Sequence, residues 1–350
     1  MRMWFSRLLL LMGLLVVAGV GLFAMLWLAE RPGPLDERVL VVVERGATTE
    51  DIAAGLEDEG VIPSRHLMLA VIAWQRFMGE RRPLKAGEYA FQPGMSLLEV
   101  LEVLRQGKGV VHRLTIPEGL STAQVLERVR EHPALAGELT LHPGEGTLLP
   151  DTYLFTRGET RDEIVRRMME AQKRLLEALW PKRAKGLPFR TPREAVVLAS
   201  IVEKETAIPQ ERPRVAAVFI NRLKKNMRLQ ADPTVIYGVA KGARLGRRLT
   251  KADLRKDTPW NTYTRRGLPP TPIANPGRES IEAVLNPAHT DDLYFVADGK
   301  GGHVFAATLK EHNRNVARFR KLRRQREQAK GEGKKAAGER VDGGGRDKAR

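Results

Sequence analysis

Residues Leu8 to Ala29 form a run of 22 uncharged, mostly apolar residues, LLLLMGLLVVAGVGLFAMLWLA. As a helix rising about 1.5 Å per residue, such a run crosses a hydrocarbon layer of about 30 Å. A run this long and this uniformly apolar does not read as a core helix of a soluble protein. A cleaved signal peptide carries a shorter apolar stretch, roughly 7–15 residues, ahead of a small-x-small site. This run is longer and no such site immediately precedes Glu30, so an uncleaved transmembrane helix over residues 8–29 is expected. Arg2 and Arg7 precede it, while Glu30, Arg31 and Pro32 follow. That bias places the tail, residues 1–7, in the cytoplasm. No later stretch approaches 18 consecutive apolar residues, which leaves one large ectodomain on the far side of the membrane.

The chain carries 59 Lys and Arg against 42 Asp and Glu, a formal charge of +17. Charge of this size argues for an anionic partner, and a location outside the cytoplasm favours lipid or wall polymer over nucleic acid. Residues 321–350 contribute +6 of it, with six glycines and hardly any aliphatic side chain, a composition that predicts a basic disordered tail. Cysteine is absent, which excludes disulfides, thiolate metal sites and thiol nucleophiles. The seven histidines are scattered with no HExxH and no paired ligand spacing, so neither a metal nor another cofactor is expected.

A three-fold pattern organises the first part of the ectodomain: RVLVVVERGATTEDIAAGLEDEG from Arg38, GEYAFQPGMSLLEVLEVLRQG from Gly87 and HRLTIPEGLSTAQVLERVREHP from His112. In each copy period-2 alternation gives way, after a Gly and a hydroxyl residue, to period 3.6, which predicts strand, turn and amphipathic helix. Thr48, Ser96 and Ser121 are the expected N-caps. The first copy also resembles a LysM module, a small βααβ fold that binds N-acetylglucosamine polymers. From about Arg190 short-looped helices take over. Thr191-Pro192-Arg193-Glu194 is a capping box opening a helix to about Thr206, Glu211 to Lys225 reads as a second, and Asp232-Pro233-Thr234 as another capped start. LYFVA and HVFAA flank Asp298-Gly299-Lys300-Gly301-Gly302 as a β-hairpin, and Thr308 to Glu311 cap a last helix.

Candidate chemistry centres on the helix from Glu194. Ser200 and Lys204 stand four apart where a Ser-x-x-Lys nucleophile needs three, and no GxSxG occurs. Projected at about 100° per residue, Leu198, Val202, Ala195 and Ile201 define one apolar face, and Glu205 falls in its middle. Glu203 and Lys204 project toward solvent. A carboxyl on a buried face loses hydration, which raises its pKa and suits it to donate a proton at neutral pH. The alternative is a Glu near the helix end, exposed or satisfied by a local Arg. Downstream, Gln230, Asp232, Trp260-Asn261-Thr262-Tyr263 and Leu268-Pro269-Pro270-Thr271-Pro272 supply the amides, aromatics and stiff loops that hold a sugar, although Asp232 also suits a helix N-cap.

ASIVEKET (from Ala199), RVAAVFINRL (Arg214), MRLQADPTVIYG (Met227), NTYTRRGLPPTPIANPG (Asn261) and LYFVADGKGGHVF (Leu293) resemble the signature blocks of the endolytic murein transglycosylases, the YceG-like family. KAGEYAFQPGMS (Lys85) and LLPDTY (Leu148) match as well, and the likeness covers roughly residues 35–320, leaving the basic tail outside. It implies an α+β protein with a single transmembrane helix, a LysM-like αβ module over residues 38–110, a mixed α+β catalytic region over 111–320 and the tail 321–350. The implied activity is that of a lyase cutting nascent peptidoglycan strands at the MurNAc–GlcNAc bond, leaving a 1,6-anhydroMurNAc end and terminating elongation. By position in the EKET block the family's catalytic glutamate falls on Glu205, with Glu203 as fallback. Gln230, Asp232, Asn261, Thr262 and Tyr263 are the expected substrate contacts. The resemblance further implies residence in the inner membrane, a periplasmic catalytic part and penicillin-binding protein synthases as partners. A non-catalytic glycan-binding scaffold on the same anchor is the competing expectation, and a nucleic-acid binder rests on net charge alone.

Overall fold

A computed structural model describes residues 2–342. Its elements are α1 (Arg2–Glu30), β1 (Val39–Val43), α2 (Thr49–Asp58), α3 (Arg65–Phe77), β2 (Gly87–Phe91), α4 (Leu97–Gln106), β3 (Val111–Thr115), α5 (Thr122–Glu131) and β4 (Thr152–Thr156). After these come α6 (Arg161–Leu179), α7 (Pro192–Glu205), α8 (Arg212–Lys224), α9 (Asp232–Ala240), α10 (Lys251–Arg255), α11 (Arg278–Leu285), β5 (Tyr294–Ala297), β6 (His303–Ala306) and α12 (Leu309–Asp342). The class is α+β, and α1 is long and apolar enough to cross a membrane over Leu10–Glu30. The three expected strand-turn-helix copies are β1–α2, β2–α4 and β3–α5. Thr48 and Ser96 close full capping boxes with Asp51 and Glu99. Ser121 Oγ accepts from the Gln124 N–H (3.3 Å) while Gln124 Oε1 accepts from the Ser121 N–H (3.0 Å). Such caps satisfy amides that a helix start leaves without partners.

The chain divides into two compact units. The first takes the residues up to Leu114 together with His132–Glu138 and Tyr153–Arg161. Here β1 and β2 pair antiparallel, Val39 opposite Phe91 and Val43 opposite Gly87. Alternation turns Val41, Val43, Tyr89 and Phe91 onto a core completed by Ala53 and Leu56 of α2, Met68 and Val71 of α3, and Leu97, Leu101 and Leu104 of α4. Ala29, at the end of α1, is fully buried in the same cluster. The expected break at residue 110 thus moves to Leu114, and two later segments return. β4 pairs with β3, His132 packs edge-on against Phe155 (4.9 Å), and the buried Glu88 carboxylate holds His112 and Arg157. A buried carboxylate needs such partners, and the chain supplies them from two separate stretches.

The second unit comprises Thr115–Glu131, Leu139–Thr152 and the chain from Asp162 onward. Its centre is α7, against which α8, α9 and α11 pack. Every residue from Ala195 to Val202 is buried, so this helix is enclosed on all sides rather than along one stripe. Ser200 is wholly committed: its hydroxyl donates to the Val197 carbonyl (2.7 Å) and accepts from the Ile273 N–H (3.0 Å). The β5–β6 hairpin forms as expected, Tyr294 opposite Ala306, and α12 lies against it. α12 runs on to Asp342, where composition predicted disorder from residue 321. Arg, Lys, Gln, Glu and Ala dominate that stretch and favour helix even where side chains are exposed, as at residues 321–326. Residues 343–350 of the expected tail lie outside the described residues.

Asn275, fully buried, ties three loops of this unit together. Its Oδ1 accepts from the Leu148 N–H (3.0 Å) and its Nδ2 donates to the Leu120 carbonyl and to Thr122 Oγ1 (3.1 Å each). Asn275→Ala strands the buried Leu148 N–H, while the Leu120 carbonyl keeps the backbone N–H of residue 275 (2.8 Å); the expected loss of stability is about 1–3 kcal/mol, read as a lower urea midpoint with an unchanged slope.

Candidate active site

Glu205 is the last residue of α7. Its position follows from the helix start: the Thr191 capping box and Pro192 at the first helical position fix the register, and the enclosed apolar residues carry it to the end. Helix C-termini bear partial negative charge, so a carboxylate there is disfavoured relative to the acid. Burial pushes the Glu205 carboxyl up to about 7; the negative charge of Asp232 adds to the rise and the Arg222 guanidinium opposes it. Glu205 is therefore poised to exchange a proton near neutrality.

Asp232 and Tyr263 stand beside it. The Tyr263 hydroxyl donates to Asp232 Oδ1 (2.6 Å), and burial together with Asp232 holds that phenol well above its usual range. Asp232 is the first residue of α9, with Ala231 at the cap and no side-chain cap bond. The N-cap alternative is thus corrected, because the carboxylate faces the phenol instead of the helix amides. Gln230 is exposed and left-handed (φ 53°), an uncommon state for a side chain of this kind, pinned by its N–H to the Thr262 carbonyl (3.2 Å). That turn re-aims the chain immediately before Asp232.

Two expected substrate contacts are not available to a ligand. Asn261 is 1% exposed; its Nδ2 donates to the Leu254 and Lys256 carbonyls and its Oδ1 accepts from the Tyr263 N–H. Thr262, equally buried, accepts from the Ala231 N–H and bonds Thr234 Oγ1. Both fold the loop that carries Tyr263. Trp260 is covered as well: Lys241 lies over its ring (3.7 Å) and Tyr237 packs beside it (5.5 Å).

Arg222 was not singled out from the sequence. It is buried in α8, donates to the Leu293 carbonyl and the Leu229 carbonyl (2.7 Å each), and lies over the Tyr294 ring. It therefore anchors the strand start and the Gln230 loop while placing positive charge near Glu205. The "local Arg" that would neutralise Glu205 exists, yet it donates to the backbone carbonyls of Arg228, Leu229 and Leu293.

Lys204 is exposed, as expected, but Glu203 does not point into solvent. The Glu203 side chain is 5% exposed and pairs with Arg212 (3.2 Å) while accepting from the Gly277 N–H (2.9 Å). Arg212 also holds Glu118 (2.9 Å) and Glu279. Lys204 donates to the Gly119 carbonyl (3.1 Å). A wheel with one apolar face misplaces Glu203, since α7 is surrounded up to Val202. Glu203 is thereby a structural ion-pair partner. A cavity of about 720 Å³ elsewhere in this unit is lined by Glu145, Gln172 and Trp180 among others, and Glu205 is not part of it. Burial raises Glu145 too, but Thr122, Tyr237 and Asn275 already donate to its oxygens.

The sequence profile of the YceG-like family matches residues 41–318. A protein of Bacillus subtilis named endolytic murein transglycosylase is 31% identical over 313 residues, covering 80% of this chain and 84% of its own length. One of the same name from Streptococcus pneumoniae is 29% identical over 328 residues, and the match spans 58% of that protein. The crystal structure of a YceG-like protein from Listeria monocytogenes is 31% identical, covers 79% of this chain and 99% of its own, and superposes with a TM-score of 0.47. With the matched region containing Glu205, Arg222, Asp232 and Tyr263, the chain belongs to the YceG-like family.

Proposed function

We propose that the protein is an endolytic peptidoglycan lytic transglycosylase that uses Glu205 as its single acid and base. The observation that carries this reading is the carboxyl at the end of α7, raised to about 7 beside Asp232 and Arg222. The names of the relatives support it. A hydrolytic glycosidase divides labour between two carboxylates, one of which activates water or attacks carbon. Here the substrate supplies its own nucleophile. Glu205 protonates the oxygen leaving C1 of MurNAc, the C1–O bond breaks, and the oxocarbenium-like centre is captured by the C6 oxygen of the same sugar. The Glu205 carboxylate takes the C6 hydroxyl proton, which restores the acid and yields a 1,6-anhydro end, terminating the strand. Asp232 favours the protonated state of Glu205, and its remaining oxygen, with the Tyr263 phenol and the Gln230 amide, contacts sugar hydroxyl and acetamido groups. No step calls on a cofactor.

The same reading assigns α1 as an anchor in the inner membrane with the N-terminus cytoplasmic and the catalytic unit periplasmic. The β1–α2–α3–β2 order around an antiparallel pair supports a LysM-like glycan-holding module, and a peptidoglycan synthase of the penicillin-binding type is the fitting partner. A non-catalytic scaffold has no use for an acid poised near neutrality.

Glu205→Gln should lower release of 1,6-anhydro muropeptides from purified peptidoglycan by about 10²-fold or more while the circular dichroism spectrum stays that of the parent; undiminished release contradicts the assignment. Glu203→Gln should do the reverse. It weakens the hold on Arg212, costs about 1–3 kcal/mol of stability, and leaves the folded fraction active.

Because the folded-state pKa of Glu205 is raised from 4.5 to about 7, the stability this group contributes is fully present below its unfolded pKa and lost as pH rises through 7. Glu205→Gln should therefore gain thermal stability over the parent as pH climbs from 5 to 8, with little difference at the acid end. Cleavage by the parent should fall over the same range as the acid form is depleted.

A further inference from the structure

The end of α1 is packed in a way that fixes where the first unit stands relative to a bilayer. Leu22, Met25, Leu26 and Ala29 are partly or fully buried, spaced i, i+3, i+4 and i+7, so one face of the last two turns lies on protein. The other face of those turns is apolar and bare: Phe23 is 72%, Trp27 48% and Leu28 44% exposed. What α1 packs against is α3 and α4. Where those helices begin follows from the connection. The Gly33 N–H donates to the Met95 carbonyl (3.2 Å), two residues ahead of α4, and a Cβ on Gly33 would lie 3.4 Å from the Val61 carbonyl, four residues ahead of α3. The segments that lead into α3 and α4 thus adjoin the chain just past the end of α1, while the two helices themselves meet α1 within its apolar span.

The far end of α3 carries Phe77, 81% exposed, and Met78, 64% exposed, with Trp74 against Phe77 (5.7 Å). Large apolar side chains this bare are unusual on a soluble surface. Arg76 and Arg81 are exposed beside them. Arg82 close by is held by Glu80 and Glu102, and the buried Arg105 by Gln75, so Arg76 and Arg81 are the guanidinium groups that face outward at this end. Apolar tips flanked by guanidinium groups match the boundary between acyl chains and lipid phosphates. We infer that the end of the first unit bearing Phe77 and Met78 is set into the surface of the bilayer that α1 spans, with Arg76 and Arg81 at the phosphates.

The occupant of this surface is bilayer lipid, because the bare face of α1 at the same level is itself apolar. The inference rests on the anchor reading of α1 and goes beyond it: a tether alone leaves α3 free of lipid. On this placement the first unit is fixed at the membrane surface, and lipid contact is part of its fold.

The chain contains no cysteine, so single substitutions Phe77→Cys, Met78→Cys, His66→Cys and Val16→Cys in the full chain can each carry one environment-sensitive fluorophore. In nanodiscs containing nitroxide-labelled lipid, the label at 16 reports the anchor and the labels at 77 and 78 report the proposed insertion. The label at 66, exposed near the start of α3, is the control. Expected are strong quenching at 16, quenching at 77 and 78 at a depth of about 5–10 Å below the headgroups, and none at 66. Quenching at 16 with 77 and 78 as unquenched as 66 overturns the insertion and leaves the anchor standing. No quenching at 16 overturns the anchor, and the insertion with it.

Discussion

The enclosure of α7 is the constraint on which the second unit depends. Eight successive residues, Ala195 to Val202, are buried, which is possible only because α8, α9 and α11 and the loop after Pro272 wrap the helix. A post held on every side delivers its last residue to a defined place, and that residue is Glu205. The same enclosure removes water from its approach, and desolvation is the foremost cause of the raised carboxyl. Position and protonation thus share one origin.

Two charges of opposite sign then tune the acid. Asp232 raises it and Arg222 restrains it, each through its charge rather than through a hydrogen bond. Each is held by something else: Asp232 by the Tyr263 phenol, Arg222 by backbone carbonyls of the Gln230 loop and the start of β5. A general acid that must give up and regain a proton in each turnover is served by neighbours that act through their field and leave its oxygens free. Asn261 and Thr262 complete the arrangement from beneath by folding the loop that presents Tyr263.

Much of this was legible in the sequence, for particular physical reasons. Helical period selected Glu205 because the apolar residues around it do form a buried face. The caps at Thr48, Ser96, Ser121 and Thr191 were readable because capping is local, settled within three residues. What failed was nonlocal. Glu203 was assigned to solvent because a wheel assumes one buried stripe, whereas its partner Arg212 and its donor Gly277 lie in other elements. Asn261 and Thr262 resembled ligand contacts because a polar residue that satisfies buried backbone and one that meets a sugar have the same composition. Arg222 carried no signal, since its role depends on carbonyls more than 70 residues away at Leu293. The return of β4 to the first unit was equally hidden, being set by Glu88 meeting His112 and Arg157.

The central claim is that the fold holds one carboxyl as an acid near neutral pH. It is tested most directly by following the carboxyl bands of the parent protein by infrared difference titration, with Glu205→Gln as the blank. A titration centred near 7 that vanishes in the variant is the predicted result; a Glu205 signal titrating at 4.5 like an ordinary glutamate would contradict it.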